Sequence, residues 1–125
     1  MSDIISLEAE MERCRDWIEA ALEYSGGTHD FDDIVESVKT GAMQFWPAKD
    51  ACAVTELLRY PKKKVLHIFL AGGNLETILD MEESARAFAE VNGCTAFSMA
   101  GRKGWSKVLR QKGFKEAHIT MGKDF

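Results

Sequence analysis

The sequence lacks the features that mark secreted, membrane-spanning and zinc-binding proteins. Its three cysteines, Cys14, Cys52 and Cys94, include no C-x-x-C pair, so they predict neither a metal site nor a disulfide framework. No stretch approaches the roughly 18 apolar residues that a membrane span needs. The opening residues, MSDIISLEAEMERC, carry acids where a signal peptide carries bases. We therefore expect a protein of the cytoplasm, or of a particle assembled there, with no membrane partner and no metal.

What the sequence does contain is the composition of one globular domain. Of its 125 residues, 46% are hydrophobic and 29% are charged, which is typical of globular proteins. A chain of this length buries roughly two thirds of its unfolded surface, so it needs no disulfide to support a core. We predict a single domain over residues 1–125, with a helical N-terminal part at 1–50 and a sheet core at 51–125.

Charge is distributed unevenly along the chain. Residues 1–50 hold twelve acids and four bases, whereas residues 51–125 hold eight acids and twelve bases. Two interpretations remain open. The halves form oppositely charged surfaces that join copies head to tail, or the charges are the ordinary scatter of solvated helices. The net charge of −4 argues against a protein dedicated to binding nucleic acid.

The first of two predicted N-terminal helices runs from Ser2 or Ser6 to Tyr24. Apolar residues recur there at steps of three and four, which is typical of a helix with one buried face. These residues are Leu7, Met11, Cys14, Ile18 and Leu22.

The second predicted helix runs from a cap at Thr28 or Asp30 to about Lys39. Gly41 follows and ends it, because glycine adopts the left-handed conformation at little cost. The apolar segment Met43–Pro47 comes next and predicts a loop or a short strand.

The sheet core begins with a predicted hairpin. Its strands are Ala51–Tyr60 and Val65–Ala71, joined by the polar turn Pro61–Lys64. Both strands are apolar at nearly every position, so we expect helices to cover both faces.

After the hairpin the pattern alternates between helix and strand. We predict a long helix at Leu75–Asn92, a strand at Thr95–Met99, a short helix at Trp105–Gln111 and a last strand at Phe114–Met121. The predicted order is α-α-β-β-α-β-α-β. A strand, helix, strand crossover of this kind implies a parallel pair of strands.

The ending GWSKVLRQKGFKEAHITMGK resembles the last helix and strand of GNAT N-acetyltransferases, in which a helix runs into Gly-Phe and then a strand. Together with the preceding strand, glycine turn and long helix, the resemblance covers about residues 51–125. It implies an α/β (α+β) fold with a GNAT-like mixed sheet of about four or five strands, flanked by helices.

Five further motifs are similar to those of small GNAT-like proteins of tailed bacteriophages and prophages. They are MQFWP, VTELLRYP, LHIFLAGGNL, NGC and GRKGW, and they span most of the chain. This resemblance implies a phage accessory protein in the host cytoplasm, with incorporation into the virion as a further expectation.

The resemblance places the acetyl-CoA diphosphate site of the fold at Gly72, Gly73 and Asn74. In GNAT enzymes backbone N–H groups at the start of the long helix hold that diphosphate. Here LAGGNL replaces the family's pattern of a Gln or Arg followed by spaced glycines, and the acids Glu76 and Asp80 come next. The segment is therefore either a poor acetyl-CoA site or a tight turn with Asn74 as helix cap, and we favour the turn.

The residues that GNAT enzymes use for acid catalysis are also replaced. The family's tyrosine falls on Leu109 and its asparagine on Arg102, and leucine has no proton to give. The remaining candidates for a catalytic base and its partner are Glu56 and His67, on the two hairpin strands. We favour the interpretation of both as hydrogen-bonded core or edge residues, which are the more common case.

The most distinctive motif is GRKGW, which opens a basic segment without acids. Six bases lie between Arg102 and Lys115. Its glycines allow close backbone approach, and a helix N-terminus follows. We predict a surface for an acidic protein partner or an anion. That surface comprises Gly101, Arg102, Lys103, Gly104, Trp105, Lys107 and Arg110.

These observations favour a non-catalytic GNAT-like protein without a cofactor. We expect it to act through contacts with other phage particle proteins or with copies of itself. The alternative is a divergent acetyl-CoA-dependent N-acetyltransferase.

Overall fold

The computed structural model describes residues 3–101 and 104–125 and contains a four-stranded mixed sheet with helices on both faces. The predicted α+β fold class is confirmed. The elements in chain order are α1 (Asp3–Arg13), α2 (Arg15–Leu22), α3 (Phe31–Lys39), β1 (Gln44–Pro47), β2 (Ala51–Tyr60), β3 (Lys63–Gly73), α4 (Leu75–Asp80), α5 (Glu82–Val91), β4 (Ala96–Met99) and α6 (Gly104–Arg110).

The predicted first helix is interrupted at Cys14, which separates α1 from α2. The backbone of Cys14 leaves helical geometry, with φ −91° and ψ 3°. Beside the break, the guanidinium of Arg13 donates hydrogen bonds to the carbonyls of Ala48 and Lys49, at 2.7 and 3.0 Å. These are contacts between distant parts of the chain, and helical periodicity does not predict them.

The second predicted helix, α3, begins as expected. Asp30 is its N-cap, and the Asp30 carboxylate accepts a hydrogen bond from the Asp33 backbone N–H at 2.9 Å. The Asp33 carboxylate in turn accepts one from the Asp30 N–H at 3.0 Å. This reciprocal capping box satisfies two N–H groups at the helix start.

The sheet has the strand order β1-β2-β3-β4. Strands β1, β2 and β3 pair antiparallel, whereas β3 and β4 pair parallel. The hairpin turn is only Pro61–Lys62, because the strands extend until Tyr60 pairs with Lys63. The predicted four-residue turn was therefore too long, since Lys63 and Lys64 already belong to β3.

Each face of the sheet packs on its own set of helices. Helices α1, α2 and α3 cover one face, where Val54 and Leu70 are buried together with Ile18 and Ile34. On the other face a smaller cluster joins Leu66 to α5. The expectation that helices cover both faces of the hairpin is confirmed.

Strand β1 docks through a short hydrogen-bond chain. The indole N–H of Trp46 donates to the hydroxyl of Thr55 at 2.9 Å, and this hydroxyl donates to the side-chain oxygen of Gln44 at 2.9 Å. Thr55 is buried, so these two hydrogen bonds satisfy a polar group that would otherwise be costly to bury. The apolar segment before Pro47 is thus a strand, one of the two predicted alternatives.

The long helix predicted at Leu75–Asn92 is present as α4 and α5, separated only by Met81. The predicted last strand, Phe114–Met121, is wrong in this structure. Residues 114–125 contain no regular element, and the side chains of Ile119 and Met121 are 79% and 90% exposed. An alternating pattern favours a strand, but a strand also needs a pairing partner, and this segment pairs with no described strand.

No helix within residues 3–101 and 104–125 is long and apolar enough to cross a membrane.

Gly73 should be the glycine most sensitive to substitution. Its φ is +104°, and an added Cβ would lie 2.4 Å from the Asp50 carbonyl oxygen and 2.5 Å from the Ala51 Cα. We expect Gly73→Ala to lower the free energy of unfolding by about 2 kcal/mol or more, measured by urea denaturation. Gly122→Ala is the control, because nothing lies within 4 Å of its added Cβ. Equal stability of the two variants would contradict this packing.

Candidate functional site

A cleft opens where the two parallel strands separate. β3 and β4 are paired only from Val65↔Ala96 to Ile68↔Met99, but β3 continues to Gly73 alongside β2. The space beside the end of β3 is a cleft of about 420 Å³. Its apolar walls come from α2, β3, β4 and α6, through Trp17, Phe69, Met99 and Trp105.

The floor of the cleft includes His67, which lies in a row of polar residues across three strands. Glu56 on β2 pairs with His67 on β3, and His67 pairs with Ser98 on β4. Directly paired residues project from the same face of a sheet. The structure therefore brings together the predicted pair Glu56 and His67 and adds Ser98, which the sequence did not single out.

His67 is held in place by a hydrogen bond of 2.8 Å between its Nδ1 and the Ser98 hydroxyl. Burial lowers the pKa of His67, and the negative charge of Glu56 opposes this shift only in part. The imidazole is therefore neutral near pH 7 and has the protonation state of a general base.

A β-bulge on β3 places an aromatic side chain in the cleft. The register changes from Val54↔Leu70 to Thr55↔Ile68, so Phe69 has no partner on β2. Its ring contacts His29 edge to face, with the centroids 4.8 Å apart. Bulges redirect side chains and often occur beside functional sites.

Gly72 and Gly73, the candidate cofactor glycines, each have a packing role. A Cβ on Gly72 would lie 2.9 Å from the Trp17 Cβ, so the missing side chain allows α2 to approach β3. Gly73 similarly allows the segment at Asp50 and Ala51 to pack against it.

Asn74 is the N-cap of α4, as the turn interpretation predicts. Its side-chain oxygen accepts a hydrogen bond from the Thr77 N–H at 3.1 Å. Its own N–H donates to the Asp50 carbonyl at 2.8 Å. Two of the backbone donors at this helix start are therefore already engaged, and the acid Glu76 lies in the first turn.

The predicted basic surface is described only in part. Arg102 and Lys103 lie outside the described residues. Lys107 is exposed on α6, and Arg110 forms an exposed ion pair with Glu116 at 3.0 Å. Trp105, predicted as part of this surface, is half-buried in the cleft wall.

Positive charge is scarce in the cleft itself. Among the described lining residues there is no lysine or arginine, and the acid Glu23 is present. Leu109, at the position of the family's tyrosine, is a half-buried residue of α6. Within residues 3–101 and 104–125, no group of three or more His, Cys, Asp or Glu side chains is placed to hold a metal ion.

Sequence reasoning missed Trp17 and Phe69, which line the cleft, and Ser98, which is hydrogen-bonded to His67. Ser98 becomes visible only when the parallel register of β3 and β4 is known. Phe69 enters the cleft because of the bulge, and no residue pattern in the strand predicts that bulge.

Comparison with solved structures defines the class of fold: this is the GNAT fold of N-acetyltransferases. A tetramutant of the BH1408 protein from Bacillus halodurans matches with a TM-score of 0.61 and 11% identity, over 78% of this chain and 76% of that one.

Two acetyltransferases give similar matches. Glucosamine-6-phosphate N-acetyltransferase from Arabidopsis thaliana matches with a TM-score of 0.55 and 13% identity, over 77% of each chain. An acetyltransferase from Trypanosoma brucei matches with a TM-score of 0.53 and 13% identity, over 77% of this chain and 78% of that one. No protein-family profile and no curated protein sequence matches the chain.

The lowered pKa of His67 predicts a specific pH dependence of stability. Between the folded and unfolded pKa values the unfolded chain binds more protons at this residue. Its contribution is therefore complete above the unfolded pKa, about 6.5, and is lost as the pH falls. We expect wild type to lose more stability than His67→Gln in urea unfolding between about pH 7.5 and about pH 5.

His118→Gln is the matched control, because His118 is exposed in the C-terminal segment. It should follow the wild-type pH dependence. If His67→Gln and wild type lose the same stability on acidification, His67 is not held neutral by burial.

Proposed function

We propose that the chain is a non-catalytic GNAT-like protein that acts through contacts with other proteins. The observation that carries this proposal is the state of the fold's diphosphate site. Gly72 and Gly73 are glycines for packing reasons, and Asn74 caps the helix. The residues present therefore do not fit a bound acetyl-CoA diphosphate.

Electrostatics support the same conclusion. A diphosphate needs positive charge or several free N–H donors. The described cleft lining offers no lysine or arginine, and Glu76 adds negative charge at the start of α4. Leu109 supplies no group for proton donation.

The biological setting in this proposal is a tailed phage or prophage, and it rests on the sequence motifs. The partners would be other particle proteins or copies of this chain. Mass spectrometry of purified particles from a phage that encodes the chain tests this part. Detection at a stoichiometric level supports a place in the virion, and absence from the particles removes it.

Acetyl-CoA should leave the thermal stability of the protein unchanged. A ligand at 100 times its dissociation constant stabilises a folded protein by about 2.7 kcal/mol, which is readily seen as a rise in melting temperature. We expect no rise with millimolar acetyl-CoA, measured by differential scanning fluorimetry. An active GNAT enzyme serves as the positive control. A concentration-dependent rise would contradict the proposal.

A divergent N-acyltransferase is the second candidate, and the polar row that includes His67 of the cleft lining favours it. His67 is neutral, oriented by Ser98 and adjacent to Glu56. A base in this position could accept the proton of an attacking amine. The cleft above it has room for a small substrate.

The two candidates differ in a kinetic test with acetyl-CoA and a panel of amines, read out as released thiol. Under the leading proposal, wild type, His67→Gln and His118→Gln all show only the background rate. Under the second candidate, wild type exceeds background and His67→Gln alone falls by about a hundredfold. That result would replace the leading proposal.

A further inference from the structure

The two edges of the sheet are protected very differently. The edge strand β1 ends on the exposed residue Pro47, and proline blocks further pairing because it has no N–H to donate. The other edge strand, β4, reads Ala96-Phe97-Ser98-Met99. It carries neither a proline nor a charge, two of the features that keep natural sheet edges from pairing.

The chain also contains a strand-like segment that is not in the sheet. Residues 114–125 have no regular structure, and Ile119 and Met121 are 79% and 90% exposed. Ala117, Ile119 and Met121 alternate with polar residues or glycine, which is the period of a strand with one apolar face. Two large apolar side chains at adjacent positions of one face favour burial against a partner.

This segment begins beside the unprotected edge. The ring of Phe114 stacks on Phe97 of β4, with the centroids 6.1 Å apart and the planes 20° from parallel. The Phe114 N–H donates to the Leu109 carbonyl at 3.1 Å, which attaches the start of the segment to α6. Glu116 also forms an ion pair with Arg110 of α6, but the segment pairs with no described strand.

We propose that residues 115–121 of one copy add as a strand to the β4 edge of a second copy, and that the exchange is reciprocal. A second copy is the partner because each chain supplies one unprotected edge and one unpaired strand-like segment. In a dimer with a two-fold axis, the segment of each copy pairs with the β4 edge of the other, since the combined surface is self-complementary. This proposal rests on the proposed function, in which the chain acts through protein contacts, and it names a second copy of the chain as the partner.

The test is the molar mass of the full chain in solution, measured by size-exclusion chromatography with light scattering across the micromolar range. We expect twice the 14.0 kDa of one chain. Deleting residues 115–125, which retains the Phe114–Phe97 stack, should give a monomer that still unfolds cooperatively when followed by circular dichroism.

Single proline variants test the strand pairing directly. Successive N–H groups of a strand point to opposite sides, so one of Ile119→Pro and Thr120→Pro must remove a bond to β4. That variant should weaken the dimer at least tenfold. Lys123→Pro is the matched control, because it lies beyond the pairing segment, and it should remain dimeric.

A monomeric full chain overturns the proposal, and so does a dimer that survives the deletion. If the chain is monomeric and the deletion lowers its melting temperature, the segment pairs with its own edge instead, which also overturns exchange. These measurements do not involve acetyl-CoA. A negative result would overturn the strand exchange, and it would leave open whether the chain binds the cofactor, which the thermal-stability test decides.

Discussion

The fold depends on the long antiparallel ladder between β2 and β3, which pairs Ala51↔Gly73 at one end and Tyr60↔Lys63 at the other. Because both faces of this hairpin are apolar, helices must cover each of them. The two glycines at the end of β3 then set how closely the neighbouring segments can approach this strand. Gly72 admits Trp17 of α2, and Gly73 admits the chain before β2. The same two glycines lie where the resemblance places the diphosphate site, and their packing is the basis of the proposal that the chain does not bind acetyl-CoA.

Most elements could be predicted because their signals are local. The cap at Asp30, the two apolar runs of the hairpin and the glycines that end the elements are all readable within a few residues. The predictions that failed concern features that depend on contacts between residues far apart in the sequence. Beside the break at Cys14, Arg13 reaches two carbonyls far along the chain. The segment 114–121 has a strand pattern but no strand partner within the described chain, and a pattern alone cannot supply one.

The candidate site could be predicted in part for the same reason. Glu56 and His67 stand out as polar residues on apolar strands, and the structure pairs them. Ser98 joins them only through the parallel register with β4. Residue types therefore indicate the polar pair, whereas the separation of β3 from β4 and the bulge at Phe69 shape the cleft beside it. The GNAT fold is retained, while the groups expected to hold its cofactor are engaged in packing and capping.

The most direct measurement of this account follows the backbone amides of Gly72, Gly73 and Thr77 by NMR while acetyl-CoA is added. Their roles in packing and capping predict that these resonances stay in place up to millimolar ligand. Saturable shifts confined to these amides would show that the helix start binds the cofactor, and would contradict the account.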